Sequence, residues 1–150
     1  MSDHGPSNHP DDADAIRRLL HAYADAVLAR DDAEWGALWT DDARWELGPD
    51  RVIEGSEQVV AHWKSSLAAY QHVVQLHLSN TATVDGDTAT GRAYLMEFNV
   101  PISGPRRIFV GWYDDVYRRT VDGWRFSRRA LTRLYSGPPD LSGDFPQLLD

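Results

Sequence analysis

The chain contains no cysteine, a single lysine and no long hydrophobic run. Without cysteine there is no disulfide framework and no thiol nucleophile. No apolar run approaches the roughly 20 residues of a membrane-spanning helix. The opening stretch MSDHGPSNHPDDAD also lacks the basic and apolar regions of a signal peptide. We therefore expect a cytoplasmic protein with no membrane partner.

Basic residues are also scarce, because acidic residues outnumber them and the net charge is −8. A surface that binds phosphate backbones is expected to be basic, so nucleic acid is not an expected partner. Lys64 is the only lysine among 15 basic residues, a bias that hints at a GC-rich bacterial genome.

Large aromatic side chains, in contrast, are abundant, with six tryptophans and six tyrosines in 150 residues. This length suits one domain with a substantial core. Aromatic side chains fill such cores, and they also line pockets for flat, apolar ligands.

The composition divides the chain into three parts. Residues 1–12 are rich in polar and turn-forming residues and are expected to form a disordered tail. Residues 13–135 carry regular hydrophobic patterns and form the expected domain. Residues 136–150 form a second tail rich in proline and glycine.

Helical spacing of apolar residues dominates the first half of the domain. An amphipathic helix is predicted from Asp14, and its apolar face includes Tyr23. A second, short helix is predicted to carry Trp35 and Trp39. Ser56 is a suitable N-cap for a third helix.

Strand patterns follow. The segment ARWELG is predicted to be a strand, and two hairpins are predicted across Asp85-Gly86 and Asp122-Gly123. The expected class is α+β, in the order α-α-β-α-β-β-β-β, with an antiparallel sheet curved around the long first helix. Such a sheet would enclose a cavity against the helix.

The stretch VVQLHLSN at residues 73–80 alternates apolar and polar residues, as a half-buried strand does. His77 lies in the middle of the polar face. Alternation alone does not say whether that face meets water or lines a pocket.

Four blocks in this order resemble one known family. They are AIRRLLHAYADAVLARDDAEWGALWTDDARWELG, VIEGSEQVVAHW, LHLSNTATVDGDTATGRAYL and YDDVYRRTVDGWRF. Together they resemble the SnoaL-like branch of the nuclear transport factor 2-like superfamily over residues 13–135. The resemblance implies a cone-shaped sheet around the first helix, with a deep apolar pocket. Because the superfamily includes dehydratases, isomerases, cyclases and non-catalytic members, the fold does not fix the function.

The resemblance to the dehydratases also suggests site residues. Their histidine falls on His77, which would act as the general acid/base. Their helix tyrosine falls on Tyr23, which would donate a hydrogen bond to a substrate oxygen. Their catalytic aspartate falls on Leu28, which cannot orient or charge-stabilise an imidazole. Leu28 would instead make the pocket more apolar.

Another carboxylate could replace the missing acid. Alternation places Glu97 on the strand face that the resemblance turns toward the pocket. Asp115 shares a face with Tyr113, whose position matches a polar pocket residue of scytalone dehydratase. Asp31 is a third option. Either strand acid could equally form an ordinary ion pair with an arginine.

Trp45 and Trp63 are the tryptophans most expected to line the pocket mouth. The sequence contains no HxH or HExxH pattern and no glycine-rich phosphate loop, so we expect neither a metal nor a cofactor.

These patterns predict a cofactor-free dehydratase, isomerase or cyclase for an apolar, cyclic or polyketide-like oxygenated molecule. Two alternatives remain open: a non-catalytic binding module or accessory subunit, and a cyclase that works mainly by shaping its substrate. The family resemblance further implies a homodimer or higher homo-oligomer through the outer sheet face. The expected contact residues are Arg92, Tyr94, Met96, Phe98 and Trp112.

Overall fold

The computed structural model describes residues 11–146, which form three helices and a seven-stranded sheet. In chain order the elements are α1 (Asp12–Ala29), α2 (Asp32–Gly36), β1 (Trp39–Gly48), β2 (Arg51–Glu54), α3 (Ser56–Leu67), β3 (Tyr70–Asn80), β4 (Thr83–Asp85), β5 (Thr88–Pro101), β6 (Arg107–Thr120) and β7 (Gly123–Gly137). No helix among residues 11–146 is long and apolar enough to cross a membrane.

The long helix α1 buries one apolar stripe against the concave side of the sheet. Ile16, Leu20, Tyr23 and Val27 recur at helical spacing, and all four are almost completely buried. The helix ends at Ala29, and the capping residue Arg30 adopts the left-handed backbone conformation with φ of 55°. The Arg30 guanidinium then donates to the carbonyls of two residues around the α3–β3 turn, which fixes the end of α1 there.

Helix α1 begins at Asp12, two residues before the predicted start. Asp12 is buried, and its carboxylate accepts two hydrogen bonds from Arg119, both at 2.9 Å, and one from the Trp124 indole at 3.1 Å. These distant partners extend the folded domain into the predicted tail. Residues 1–10, the rest of that tail, lie outside the described residues.

The C-terminal segment after β7 packs on Tyr135. The Tyr135 hydroxyl donates to the Pro138 carbonyl at 2.7 Å and accepts from the Gly143 amide at 3.0 Å. The Phe145 ring lies 4.6 Å from the Tyr135 ring, centroid to centroid. Strand β7 itself continues through Gly137, and residues 147–150 lie outside the described part of the chain.

The prediction for the second helix is wrong at its end. Helix α2 stops at Gly36, and Trp39 is the first residue of β1. The cause is tertiary, because Trp39 pairs in parallel with Phe126, whose amide donates to the Leu38 carbonyl at 2.8 Å. Helix α3 begins at Ser56 with Gly55 as its N-cap, so the predicted cap is the first helical residue.

The sheet order is β2-β1-β7-β6-β5-β3, and β4 pairs with β5. Both predicted hairpins are confirmed, with Asp85 opposite Thr88 and Thr120 opposite Gly123. Strand β1 joins β7 in parallel, while the other pairs are antiparallel, so the sheet is mixed. This α+β architecture confirms the predicted class.

A β-bulge in β3 decides which side chains of VVQLHLSN face inward. His77 pairs with Leu95 but Ser79 pairs with Tyr94, so Leu78 is an extra residue in β3. Before the bulge, Gln75 lies opposite Glu97 on the concave face. The polar face of β3 at these positions therefore looks toward α1, and the apolar face looks away from the core.

The outer face of β3 and β5 is apolar and open to solvent. Leu76 lies opposite Met96, and Val74 lies opposite Phe98. Leu76 and Phe98 are each 42% exposed. A contiguous apolar sheet face of this kind is typical of a protein–protein contact.

We predict that a second copy of the chain covers this face. Light scattering of the wild-type protein should give the mass of a dimer or a higher oligomer. Leu76→Lys should shift the protein toward monomer, because it places a charge in the buried contact.

Val121→Lys is the matched control, since Val121 is fully exposed in the β6–β7 turn. It should leave the mass unchanged. A monomeric mass for the wild-type protein would contradict the prediction.

Candidate functional site

A cavity of about 220 Å³ lies between the concave face of the sheet, α1 and α3. Its walls come from every helix and strand except α2 and β4. The lining side chains are mostly apolar or aromatic, with a few polar groups among them: Tyr23, Val27, Trp45, Leu47, Arg51, Trp63, Ser66, Leu67, Tyr70, Val73, Gln75, Leu95, Glu97, Phe109, Tyr113, Leu131 and Arg133. Ligand sites commonly combine an apolar wall with a few polar groups in this way.

Among residues 11–146, Glu97 is the only acidic side chain in the wall of this cavity. Gln75, its cross-strand neighbour, donates a hydrogen bond from Nε2 to the Glu97 carboxylate at 2.8 Å. Burial raises the pKa of Glu97, and hydrogen bonds from Gln75 and Asn99 oppose that rise without cancelling it. The result is a carboxyl group that is held in place and is more basic than an ordinary glutamate.

Two phenols, Tyr23 from α1 and Tyr113 from β6, also line the cavity. The Trp45 indole donates a hydrogen bond to the Tyr113 oxygen at 3.1 Å. This bond uses a lone pair of the Tyr113 oxygen and not its proton, which remains available to a ligand.

Beneath the phenols lies a buried ion pair. Arg129 donates from Nε and Nη2 to the Asp115 carboxylate at 2.7 and 3.1 Å, and the Tyr117 hydroxyl donates to it at 2.9 Å. The guanidinium carbon of Arg129 lies 3.9 Å from the centroid of the Tyr113 ring and 4.6 Å from that of Tyr23. Burial raises the pKa of both phenols, and the positive charge of Arg129 counteracts part of that rise.

Packed tryptophans from α2, α3 and β1 form another wall of the cavity. Trp35 stacks on Trp63 with ring centroids 4.5 Å apart and an interplanar angle of 5°. Trp45 packs edge-on against Trp35 at 5.5 Å. Trp45 and Trp63 both line the cavity, and Trp35 supports them from behind. These rings supply a flat apolar surface for a ligand.

His77 faces inward but is not among the side chains that line the cavity. Its Nε2 lies 3.1 Å from the Asn80 Oδ1, and its ring lies 5.4 Å from that of His21. Burial lowers the pKa of His77, while the hydrogen bond with Asn80 raises it in part. His77 is two residues beyond Gln75, so it lies farther along the concave face than the cavity wall.

Leu28 lies at the protein surface, where it is 61% exposed, and it does not line the cavity. A carboxylate at this position would also be at the surface of α1. Asp115 likewise does not reach the cavity, because Arg129 and Tyr117 hold it. Asp31 caps α2, where its Oδ1 accepts from the Glu34 amide at 3.0 Å.

Sequence reasoning did not single out Gln75, Arg51 or Arg133, although all three line the cavity. Gln75 shares the polar face of VVQLHLSN with His77, so alternation could have identified it. No local sequence pattern marked Arg51 and Arg133 as cavity residues, because the curvature of the sheet brings them to the cavity. Among residues 11–146 no group of three or more histidine or acidic side chains is arranged to hold a metal ion.

Comparisons with known proteins agree with this architecture. The family model for the SnoaL-like domain matches residues 9–130. An uncharacterised protein of Mycobacterium tuberculosis is 34% identical over 125 residues, which cover 80% of this chain and 84% of that protein.

Two solved structures from Novosphingobium aromaticivorans are also similar. A candidate scytalone dehydratase superposes with a TM-score of 0.81 at 17% identity, covering 91% of this chain and 93% of that one. A candidate aromatic ring hydroxylase superposes with a TM-score of 0.79 at 27% identity, covering 85% and 92%. The likeness to the first shows the shared fold.

We predict that Asp115→Asn lowers the free energy of unfolding by about 3–5 kcal/mol, because it leaves the buried Arg129 charge uncompensated. Urea unfolding followed by tryptophan fluorescence measures this loss. Asp114→Asn is the matched control, because its partner Arg92 lies 3.1 Å away at a half-exposed surface. The control should cost no more than about 1 kcal/mol. Equal losses for the two variants would show that the buried pair has no special role.

Proposed function

Because the chain belongs to the family of SnoaL-like domains, we propose that it is an enzyme that moves a proton within an apolar small molecule. The proposed reaction class is elimination or isomerisation next to an oxygen, with dehydration as the principal case. The fold shared with a candidate scytalone dehydratase supports this class.

The observation that carries the proposal is the carboxyl group of Glu97 in the wall of the cavity. A general base must reach its proton directly and must have a suitable basicity. Glu97 meets the first condition because it lines the cavity. Burial raises its pKa, which makes its carboxylate a stronger base and so favours the second condition. His77, the base expected from the sequence, does not line the cavity.

Tyr113 is the proposed hydrogen-bond donor to the substrate oxygen. The Trp45 indole donates to its oxygen and leaves its proton free for the substrate. The Arg129 charge behind its ring stabilises negative charge that develops on the hydrogen-bonded oxygen. Tyr113 therefore takes the role first expected of Tyr23, whose ring packs against the same guanidinium.

In the elimination, the Glu97 carboxylate takes a proton from a carbon next to the one that carries oxygen. The electron pair of the broken C–H bond forms a double bond, and the C–O bond breaks. The electrons of that bond leave with the oxygen, which accepts a hydrogen bond from Tyr113. In a dehydration this oxygen then takes the proton from the Glu97 carboxyl group and departs as water, so that the carboxylate is restored. In an isomerisation the C–O bond stays intact, and Glu97 returns the proton to a different carbon.

The apolar walls define the substrate body. Trp45, Trp63, Leu95 and Phe109 enclose a space of about 220 Å³, which suits one or two fused rings. A ring system that fills this space would displace water from it, and the lower local dielectric would strengthen the hydrogen bonds to the ligand.

A second candidate function is an accessory role in an oxygenase. The 27% identity with a candidate aromatic ring hydroxylase favours it. The surface position of Leu28 argues against this role. An acid at residue 28 would not reach the cavity, so its absence removes nothing from the cavity, which retains the carboxyl group of Glu97.

The proposal can be tested without the natural substrate, by using 5-nitrobenzisoxazole as a probe of proton abstraction. A base removes its ring C–H proton, the N–O bond breaks, and a coloured phenolate forms. Wild-type protein should catalyse this reaction, and Glu97→Gln should reduce kcat/KM by about 100-fold or more. Tyr113→Phe should reduce it by about tenfold or more, because the departing oxygen loses its donor.

His77→Gln is the matched control within the concave face. It should change kcat/KM by less than about threefold, since His77 lies outside the cavity wall. Loss of activity in His77→Gln with full activity in Glu97→Gln would overturn the assignment and restore the histidine. A wild-type rate no higher than that of Glu97→Gln would favour the accessory role.

The raised pKa of Glu97 predicts the pH dependence of the same reaction. The base must be ionised, so kcat/KM should be low in acid and rise as the pH passes the Glu97 pKa. Because burial raises that pKa, the midpoint of the rise should lie above the ordinary glutamate value of about 4.3. A pH–rate profile of wild-type protein measures it. A midpoint at or below the ordinary value would show that the reacting carboxylate is solvated.

A further inference from the structure

Two arginines line the cavity, and they come from different strands of the sheet. Arg51 begins β2, at one edge of the sheet, and Arg133 lies on β7, near the middle. Both residues are exposed to solvent and also line the cavity, so they belong to its solvent-facing rim. Two cations at the opening of an otherwise apolar cavity require an explanation.

Neither guanidinium forms an ion pair with a carboxylate of residues 11–146. Arg51 contacts the His62 ring, with Nη2 and Nε2 3.3 Å apart, and Arg133 lies over the Phe109 ring at 6.0 Å. The carboxylates on the neighbouring strands are already engaged. Glu54 binds Arg44 at 2.5 Å, and Glu46 binds Arg44 at 2.9 Å and Arg128 at 2.5 Å.

Glu97 does not neutralise these arginines either. Its pKa responds to its own burial and to hydrogen bonds from Gln75 and Asn99, and no arginine acts on it. The two positive charges are therefore separate from the proposed base. A ligand could place one group at the mouth and another beside Glu97.

Eight of the 14 arginines, all of which lie within residues 11–146, bind a carboxylate. Arg51 and Arg133 are among the six that do not, and of those six only these two line the cavity. Unpaired guanidinium groups beside one cavity are suited to bind a planar anion through paired N–H donors.

We propose that Arg51 and Arg133 form a subsite for a carboxylate, so that the natural ligand is an apolar ring system with an acidic substituent. The ring body occupies the tryptophan-lined cavity, and the carboxylate remains at the mouth between the two guanidinium groups. This inference rests on the proposed function, because it names the class of substrate that the same cavity binds. It assigns the arginines to binding and not to proton transfer.

The subsite would also overcome a long-range obstacle. A protein with a net charge of −8 repels an anionic ligand, and two local cations at the entrance reverse the sign of the field there. A neutral apolar ligand would need no such arrangement.

The test compares two probes of nearly equal shape, 2-naphthoate and 2-naphthamide, by isothermal titration calorimetry. Wild-type protein should bind the carboxylate about tenfold more tightly than the amide, or better. The double variant Arg51→Gln/Arg133→Gln should lose this preference while retaining its affinity for the amide, which shows that the cavity is intact. Each single variant should lose part of the preference for the carboxylate.

Arg107→Gln is the matched control, because Arg107 is an exposed arginine outside the cavity whose guanidinium hydrogen-bonds Ser136. It changes the net charge by as much as each single variant and should leave the preference unchanged. Glu97→Gln should also keep it. A wild-type protein that prefers the carboxylate but shows no proton-transfer activity would overturn the proposed function alone. Three results would overturn the subsite. They are equal affinity of wild-type protein for the two probes, no binding of naphthoate, and a preference for the carboxylate that survives the double variant.

Discussion

The buried ion pair between Arg129 and Asp115 is the interaction on which the concave side of this protein depends. Both side chains are almost inaccessible to solvent, and the two residues lie on neighbouring strands in direct register. Such a pair can exist only if its hydrogen bonds are satisfied, and the Tyr117 hydroxyl provides the remaining donor. The aromatic rings of Tyr23, Tyr113 and Phe126 then pack around the guanidinium. The pair thereby sets the positions of the two phenols that line the cavity.

The charged and polar groups of the cavity lie at distinct positions along it. A cation lies behind the phenols, where negative charge on a bound oxygen would be stabilised. A carboxyl group with a raised pKa lies in the β5 wall, where it is surrounded by amide donors and apolar rings. Two further arginines lie at the mouth. The proposed base, the proposed hydrogen-bond donor and the proposed anion subsite are thus carried by different strands, and the curvature of the sheet brings them to one space.

Much of the fold could be predicted from the sequence, because local signals and the tertiary structure agree there. The two hairpin turns and the apolar stripe of α1 are examples. Trp39 shows where prediction failed, since helical spacing was outweighed by pairing with Phe126 on a strand far along the chain. The candidate site was harder to predict. The resemblance pointed to His77 and Leu28, whereas the structure places His77 beside Asn80 and His21 and leaves Leu28 at the surface.

The stretch VVQLHLSN shows most clearly what each level of structure decides. The sequence by itself determined that residues 73–80 form a strand with one apolar and one polar face. Only the tertiary structure decided that the polar face looks inward, and that the bulge at Leu78 places Gln75, and not Leu76, opposite Glu97. A shift of one residue exchanges the faces of a strand, and alternation is the same in either register. The register depends on contacts between strands, so no local pattern could have placed the carboxyl group of Glu97 beside an amide donor in the cavity.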